Sequence, residues 1–410
     1  MTTAKKLKRV VGTPTLALYG IGNIVGAGVY VLIGKIAEPA GYLAILAFLI
    51  AALVAFCAAL SYAELAARFP VSAGVSVYLH EAFKSRIFST IVGAMLVVAG
   101  TVSTATLFKG FAGYLHTLVP LPHEVIIIGI ALILLTLTLR GTKESVGTAA
   151  LLTLLEVGGL IFLVISILIA KPDAVANFGF HFAESLGNID SALFAGVVSS
   201  SFIAFYAFVG FEDMVNVAEE VKEPQKAFPR AILLSMLVVT ILYISVAVAA
   251  LGVLTPTALG QSSAPLADAY AAATGQTVSV LIIASLLATL NGAIVNIIMG
   301  SRFLYGMARR GWVPAWFSHV SGRHVPSRGL ILVALGACVA ALLLPIERLA
   351  EVTSLLLLFV FLSVNASLIM IRRRTAKTEH LRIAPSFLPW VGVVASAALL
   401  IGQIVLYIVT

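Results

Sequence analysis

The sequence predicts an all-α integral membrane protein of about eleven transmembrane helices, and three observations predict it. Of the 410 residues, 60% are hydrophobic and only 11% charged, with a mean hydropathy of +1.08. A soluble domain averages about 45–50% apolar and about 25% charged residues, so this chain cannot keep a surface that faces water. Apolar runs of about 20 residues, the length that crosses a bilayer, recur along nearly the whole chain. Lysine and arginine also fall almost entirely on one side of those runs. The composition excludes a soluble enzyme, a nucleic-acid-binding protein and a disulfide-rich secreted module. The net charge of +8 then reads as membrane topology rather than nucleic-acid binding.

The predicted spans run in order over 14–35, 41–63, 87–116, 123–140, 147–170, 190–217, 230–253, 277–306, 328–345, 350–371 and 388–409. The first is long and glycine-studded, with no small-residue cleavage site, so it is a span and not a removable leader. The gaps 171–189, 254–276 and 307–327 are loop-sized, with room for short surface helices. With the N-terminus in the cytoplasm, 22 of the 26 lysines and arginines lie inside. Only Lys35, Lys171 and Arg348 lie outside, and Lys109 sits within a span. That asymmetry supports both the span assignment and a multi-pass protein of the plasma (inner) membrane with a cytoplasmic N-terminus. Cys57 and Cys338 lie in apolar runs and read as small hydrophobes.

What is absent narrows the chemistry. All seven histidines lie in loops or near span ends, and no HExxH, GxSxG or GxxxxGK[ST] pattern occurs. No metal site and no cofactor is expected, and ATP-driven pumping and hydrolysis lack their usual parts.

Two spans are irregular. The first contains Gly20, Gly22, Gly26 and Gly28 within eleven residues, where an ordinary span uses Leu or Ile. Unwound backbone at membrane depth is tolerated only where it is buried in protein or lines a cavity. The alternative is tight helix packing through Gly22-x-x-x-Gly26. Five spans later, Ser199 to Glu212 brings serines, aromatics and Gly210 into one helix centre. Interrupted helices at the start of each of two five-helix sets point to an inverted-repeat transporter with its site between them. The predicted architecture is therefore one membrane domain, with repeats over 14–170 and 190–371 and an eleventh helix at 388–409.

Four motifs carry a family resemblance. They are Gly26-Ala27-Gly28-Val29-Tyr30; Tyr62-Ala63-Glu64-Leu65 with Pro70, Ser72, Gly74 and Tyr78; Phe205 to Glu212, followed by Ala218 to Pro224 and Pro229-Arg230; and Ser301 to Tyr305 with Ala308 to Gly311 and Pro314. Over nearly its full length the chain resembles the amino acid–polyamine–organocation (APC) superfamily of amino acid permeases. The resemblance implies a five-plus-five inverted-repeat (LeuT-like) fold with helices 1 and 6 discontinuous, and alternating access with an α-amino acid bound at mid-membrane. It places the substrate carboxylate at backbone amides of Val25, Gly26, Ala27 and Gly28. It places the amino group at carbonyls of Ile21 or Gly22 and of Phe205, Tyr206 and Ala207, with Val209 sharing that role. Phe208 or Phe205 would gate the site. Helix ends of matching polarity suit this assignment.

The chain departs from the family's pattern in three ways. It has room for eleven helices where the family has twelve or more, Glu212 stands where Asp is common, and Glu156 stands near a lysine of proton-coupled relatives. Lys109 and Glu156 are the two charged residues well inside spans, and a charge at membrane depth is a functional hypothesis by default. Glu156 is expected to carry a proton for symport, to help hold a cation such as sodium, or to pair with Lys109. Lys109 is assigned to substrate or gating chemistry, with snorkelling as the structural alternative. Asn23, Ser199, Ser200, Ser201, Thr289 and Asn291 either line the pathway or bridge helices. The acidic cluster Glu212, Asp213, Glu219, Glu220 and Glu223 is expected to pair with Arg230, Arg302 or Arg309 at a cytoplasmic gate. Small residues at the breaks favour a small or medium neutral substrate. The reading is a secondary amino acid transporter coupled to protons, with an uncoupled amino acid/amine exchanger as the alternative. A channel, a membrane enzyme and a receptor-like sensor fit less well.

Overall fold

The structure, a computed structural model, describes residues 9–69, 74–140, 146–276, 279–321, 325–374 and 383–409. Among them the chain is helical, with no strand beyond one isolated bridge between Val11 and Val221. Its first part comprises α1 (Thr13–Val25), α2 (Ala27–Ala40), α3 (Ala44–Arg68), α4 (Gly74–Phe83), α5 (Arg86–His116), α6 (His123–Arg140) and α7 (Val146–Ala170). After α8 (Ala174–Gly187) come α9 (Ser191–Ala207), a 3-10 segment (Phe211–Glu220) and α10 (Pro224–Leu251). The remainder is α11 (Pro256–Gln261), α12 (Pro265–Thr274), α13 (Ser279–Arg309), α14 (Ser327–Leu343), α15 (Ile346–Arg374) and α16 (Leu388–Val409). Pro70, Ser72, Lys143, Arg323, His324 and His380 lie outside the described residues, as do Lys377 and Arg382.

Each expected run carries helix, yet only nine stretches among the described residues are both long and apolar enough to cross a bilayer. The reasons are local. Helix α1 stops after 13 residues, α2 runs into α3 through one 3-10 turn at Gly41–Leu43, and α14 has 17 residues. The gaps with room for short helices hold them in two cases, as α8 and as α11 and α12, and α4 is an additional helix between α3 and α5. Local capping starts several of these helices. The Asp190 side chain accepts the Leu193 N–H at 2.7 Å, and the Ser85 hydroxyl accepts that of Phe88 at 3.3 Å, each satisfying an orphan donor. On the rim of the bundle, Leu132, Ile133, Ile165 and Ile401 are exposed, as lipid-facing side chains must be.

The α1–α2 segment is the centre of the bundle, and hydroxyl groups from three other helices tie its carbonyls. Ser235 of α10 donates to Ala17 O at 2.9 Å, and Ser200 of α9 to Ile36 O at 2.8 Å. Tyr114 of α5 donates to Tyr30 O at 2.6 Å, and Tyr30 itself donates to the Glu156 backbone carbonyl in α7 at 2.6 Å. In an interior without water, such bonds replace hydration of the backbone.

At the end of α3 the fully buried Glu64 makes the densest polar cluster. Its carboxylate accepts from Arg372 Nε at 2.9 Å, from Arg68 at 3.1 Å, and from the N–H groups of Ile383 and Ala384 at 2.9 and 3.2 Å. One side chain thus fastens α3, α15 and the chain leading into α16. At the opposite ends of α2 and α15, Lys35 pairs with Glu347 at 3.0 Å.

Candidate functional site

Helix α1 ends at Val25 and α2 begins at Ala27, with Gly26 between them at φ −41° and ψ −129°. The α2 N-terminus therefore leaves its first N–H groups without partners in the helix, and the α1 C-terminus leaves carbonyls. Helix α9 ends at Ala207, and three residues separate it from the 3-10 segment that starts at Phe211. Gly210 within that stretch has φ +126°, a conformation open to glycine and strained for other residues. A Cβ there would also lie 2.3 Å from Asn23 O.

The two interruptions touch. A Cβ on Gly28 would sit 2.4 Å from Ala207 Cα, so only glycine lets the start of α2 meet the end of α9. Tyr243 of α10 holds the contact: its hydroxyl lies 2.8 Å from Ile24 O and 2.9 Å from Ala207 O. One proton is thus shared between carbonyls from the two helix ends.

A narrow cavity of about 30 Å³ opens beside this contact. Of the residues expected to bind substrate, Gly26, Gly28, Tyr206 and Val209 line it. Ile21, Val25, Phe205, Ala207 and Phe208 are buried in the packing around it, and Ala27 opens α2. Gly22 packs on α7, where a Cβ would lie 1.9 Å from Thr153 Oγ1. Phe205 packs on Phe361 with ring centroids 5.4 Å apart, and Phe208 on Tyr243 at 5.3 Å. A Cβ on Gly26 would find nothing closer than 3.8 Å.

Other cavity residues carried no spacing signal. Asn296 Nδ2 of α13 donates to Ser103 Oγ of α5 at 3.0 Å, and Ser103 Oγ lies 2.9 Å from the Tyr206 hydroxyl. This chain of bonds crosses three helices at the cavity wall. Asn23, also on the wall, has a buried Nδ2 with no hydrogen-bond partner among the described residues. Asp213 lines the same space. Of the acidic cluster, Glu212 accepts the Gly210 N–H at 2.8 Å, Glu223 pairs with Lys226 at 2.8 Å, and the side chains of Glu219 and Glu220 lie outside the described residues.

Glu156 is buried in α7 and accepts from Asn291 Nδ2 at 3.1 Å. Its Oε2 has no partner among the described residues. Lys109 is half-buried in α5 and lies off the cavity lining. Among the described residues no ion pair joins the two. Ser200 spends its hydroxyl on a backbone carbonyl of α2, a helix-bridging role, and Ser201 and Thr289 spend theirs on carbonyls one turn earlier in their own helices. Among the described residues no group of histidine, cysteine and carboxylate side chains is arranged to hold a metal ion.

Comparison with known proteins places this architecture. The amino acid permease family model matches residues 11–410. The chain is 29% identical to the branched-chain amino acid permease BcaP of Bacillus subtilis (strain 168), covering 90% of this chain and 82% of that protein. It is 28% identical to the mitochondrial cationic amino acid transporter 3 of Arabidopsis thaliana, covering 90% of this chain and 63% of that one. It is 31% identical to the uncharacterized transporter Rv1999c of Mycobacterium tuberculosis (strain ATCC 25618 / H37Rv), over 82% of this chain and 74% of that protein. With a family match over nearly its whole length, the chain belongs to the amino acid permease family of the APC superfamily, as a multi-pass membrane transporter and not an enzyme.

Proposed function

We propose that the protein is a proton-coupled secondary transporter of α-amino acids in the plasma membrane, with its N-terminus in the cytoplasm. The α1–α2 pair and the α9–3-10 pair act as discontinuous helices 1 and 6 of a five-plus-five inverted repeat, and the substrate binds between them. The observation that carries this reading is the cavity itself. Gly26 and Gly28 line it from the α2 N-terminus, and Tyr206 and Val209 from the α9 C-terminus. A helix N-terminus favours a carboxylate and helix C-terminal carbonyls favour an ammonium, so opposed ends form a receptor for a zwitterion.

In this mechanism the Gly26–Gly28 amides hold the carboxylate, with Val25 and Ala27 completing the backbone there. Carbonyls near Ile21, Gly22, Phe205, Tyr206 and Ala207 face the ammonium, and Phe208 or Phe205 closes over it. Alternating access is rocking of the bundle around that fixed site. Glu156 takes up and releases the coupling proton. Its support is burial with one unpartnered oxygen, a place where a buried polar group awaits a proton or a cation. Tyr30 donates to Glu156's own backbone carbonyl from α2, two residues beyond Gly28, which joins α7 at this position to the helix that opens the proposed site. Lys109 serves gating.

Uptake into proteoliposomes tests this function. An inward proton gradient is expected to drive accumulation of a labelled amino acid, and a protonophore to abolish it while counterflow persists. Accumulation unaffected by the protonophore would replace symport with exchange, and absence of any flux would remove transport.

A further inference from the structure

The connection between α13 and α14 carries a charge pattern that membrane topology alone does not require. From residue 269 to residue 346 the chain has five arginines, no lysine and no carboxylate. Lysine and arginine orient a membrane protein equally well, and the rest of this chain uses both. The described arginines gather in the last two turns of α13, at Arg302 and Arg309, just beyond it at Arg310, and at the start of α14, at Arg328. Among the described residues none of these four has a carboxylate within ion-pair distance.

Two of them lie on tryptophan faces. The Arg310 guanidinium stands 5.4 Å from the centre of the Trp312 ring, and the Arg328 guanidinium 4.8 Å from that of Trp316. Stacking holds a guanidinium plane in place and leaves N–H groups on its edge for a further partner. Arg328 spends one of its own on Trp316 O at 2.9 Å. Behind the first pair, Arg86 donates to Gly311 O, and His80 packs on Trp312 with ring centroids 5.8 Å apart. The turn between α4 and α5 thus braces this end of the connection. Arg309, Arg310, Trp316 and Val320 are exposed, so apolar and cationic surface lie side by side.

We infer that this Arg–Trp surface binds the phosphate headgroup of an anionic phospholipid, of the phosphatidylglycerol class. A guanidinium fork matches two phosphate oxygens. The apolar span that contains α13 ends at Arg309, which puts the connection at the level of the headgroups, where tryptophan also settles. An acyl chain beside Trp316 and Val320 and a phosphate between Arg310 and Arg328 would cover both kinds of surface at once, as a soluble anion would not. With the proposed cytoplasmic N-terminus the lipid belongs to the inner leaflet, and the recognition itself is independent of that orientation.

The chain has three tryptophans, so Trp390→Phe leaves Trp312 and Trp316 as reporters of the site. The full-length protein in this background is reconstituted in phosphatidylcholine bilayers at low salt. The bilayers contain a small fraction of phosphatidylglycerol or of phosphatidylcholine, spin-labelled near the top of one acyl chain, and quenching of tryptophan fluorescence reads the relative affinity. One basic residue at an anionic surface is worth about a factor of five, so phosphatidylglycerol is expected to be preferred by at least about tenfold. Arg310→Gln with Arg328→Gln is expected to bring the preference within about twofold of one. Arg310→Lys with Arg328→Lys keeps the charge and loses the fork, and is expected to lower the preference at least about threefold. Equal quenching by the two labelled lipids with both arginines present would overturn the inference, whether or not the variants fold. A preference undiminished in the glutamine variant would overturn it too, and one undiminished in the lysine variant would reduce the site to diffuse surface charge. No arm reads transport, so the proposed function stands or falls separately.

Discussion

Removing the Glu64 side chain perturbs the structure at its most concentrated polar contact. In Glu64→Ala, the Arg372 and Arg68 side chains, 11% and 8% exposed, lose their shared anion, and the N–H groups of Ile383 and Ala384 lose their acceptor. Breaking a buried ion pair by deleting one partner costs about 3–5 kcal/mol, because the remaining charge is left uncompensated. Each lost backbone acceptor adds about 1–3 kcal/mol where water cannot enter. This carboxylate ties the chain leading into α16 to α3, so the loss concentrates there. Hydrogen exchange at Ile383 and Ala384 reads it directly: a factor of ten in protection corresponds to about 1.4 kcal/mol, so protection is expected to fall by at least about a hundredfold. Arg372→Met combined with Glu64→Gln removes both charges of the pair and is expected to recover part of the loss, because uncharged groups of similar volume tolerate burial. Unchanged protection in Glu64→Ala would refute the reasoning. So would a double variant less protected than Glu64→Ala.

Four other perturbations bear on the site. Gly28→Ala places a methyl 2.4 Å from Ala207 Cα and is expected to separate α2 from α9, with transport lost and thermal stability lowered by about 1–3 kcal/mol. Gly26→Ala meets no atom within 3.8 Å, so it is expected to fold normally while weakening substrate affinity; equal stability losses at both glycines would show that packing alone fixes them. Tyr243→Phe removes the hydroxyl shared by Ile24 O and Ala207 O, with an expected loss of about 1–3 kcal/mol, measured by chemical denaturation in lipid nanodiscs. Glu156→Gln keeps the acceptor for Asn291 but carries no exchangeable charge. Gradient-driven accumulation is expected to disappear while counterflow continues, and accumulation at the unmodified rate would exclude Glu156 from coupling.

Much of this was legible in the chain. Apolar runs with positive charges on one side locate membrane helices because the bilayer imposes both length and orientation. Gly26 and Gly28 stood out because glycine is out of place at mid-membrane unless something needs it there, and Tyr206 was singled out through the family resemblance. Tyr243, Ser103 and Asn296 gave no such signal. Each sits among other hydroxyl or amide residues of its helix, and its partner lies on a helix far away in sequence. A phenol at mid-span that must find a hydrogen bond was the one available clue to Tyr243. Asp213 was visible but read with its neighbours as a gate; which side of a short 3-10 segment faces a cavity depends on the backbone at Gly210, not on local spacing. Conversely, Ser200 and Ser201 looked like pathway residues. A serine hydroxyl bonding a carbonyl and one lining a pore leave the same mark in a sequence.

The central claim, that an α-amino acid is held by the helix ends at Gly26–Gly28 and Tyr206–Val209, is tested most directly by thermal stabilisation of the purified protein. The panel is the twenty amino acids, each beside its methyl ester and its decarboxylated amine. A ligand that binds only the folded state must raise the melting temperature. The account predicts that one or a few free α-amino acids raise it, and that their esters and amines do not. Esters or amines that stabilise as strongly as the free acids, or a panel with no effect on a folded protein, would contradict it.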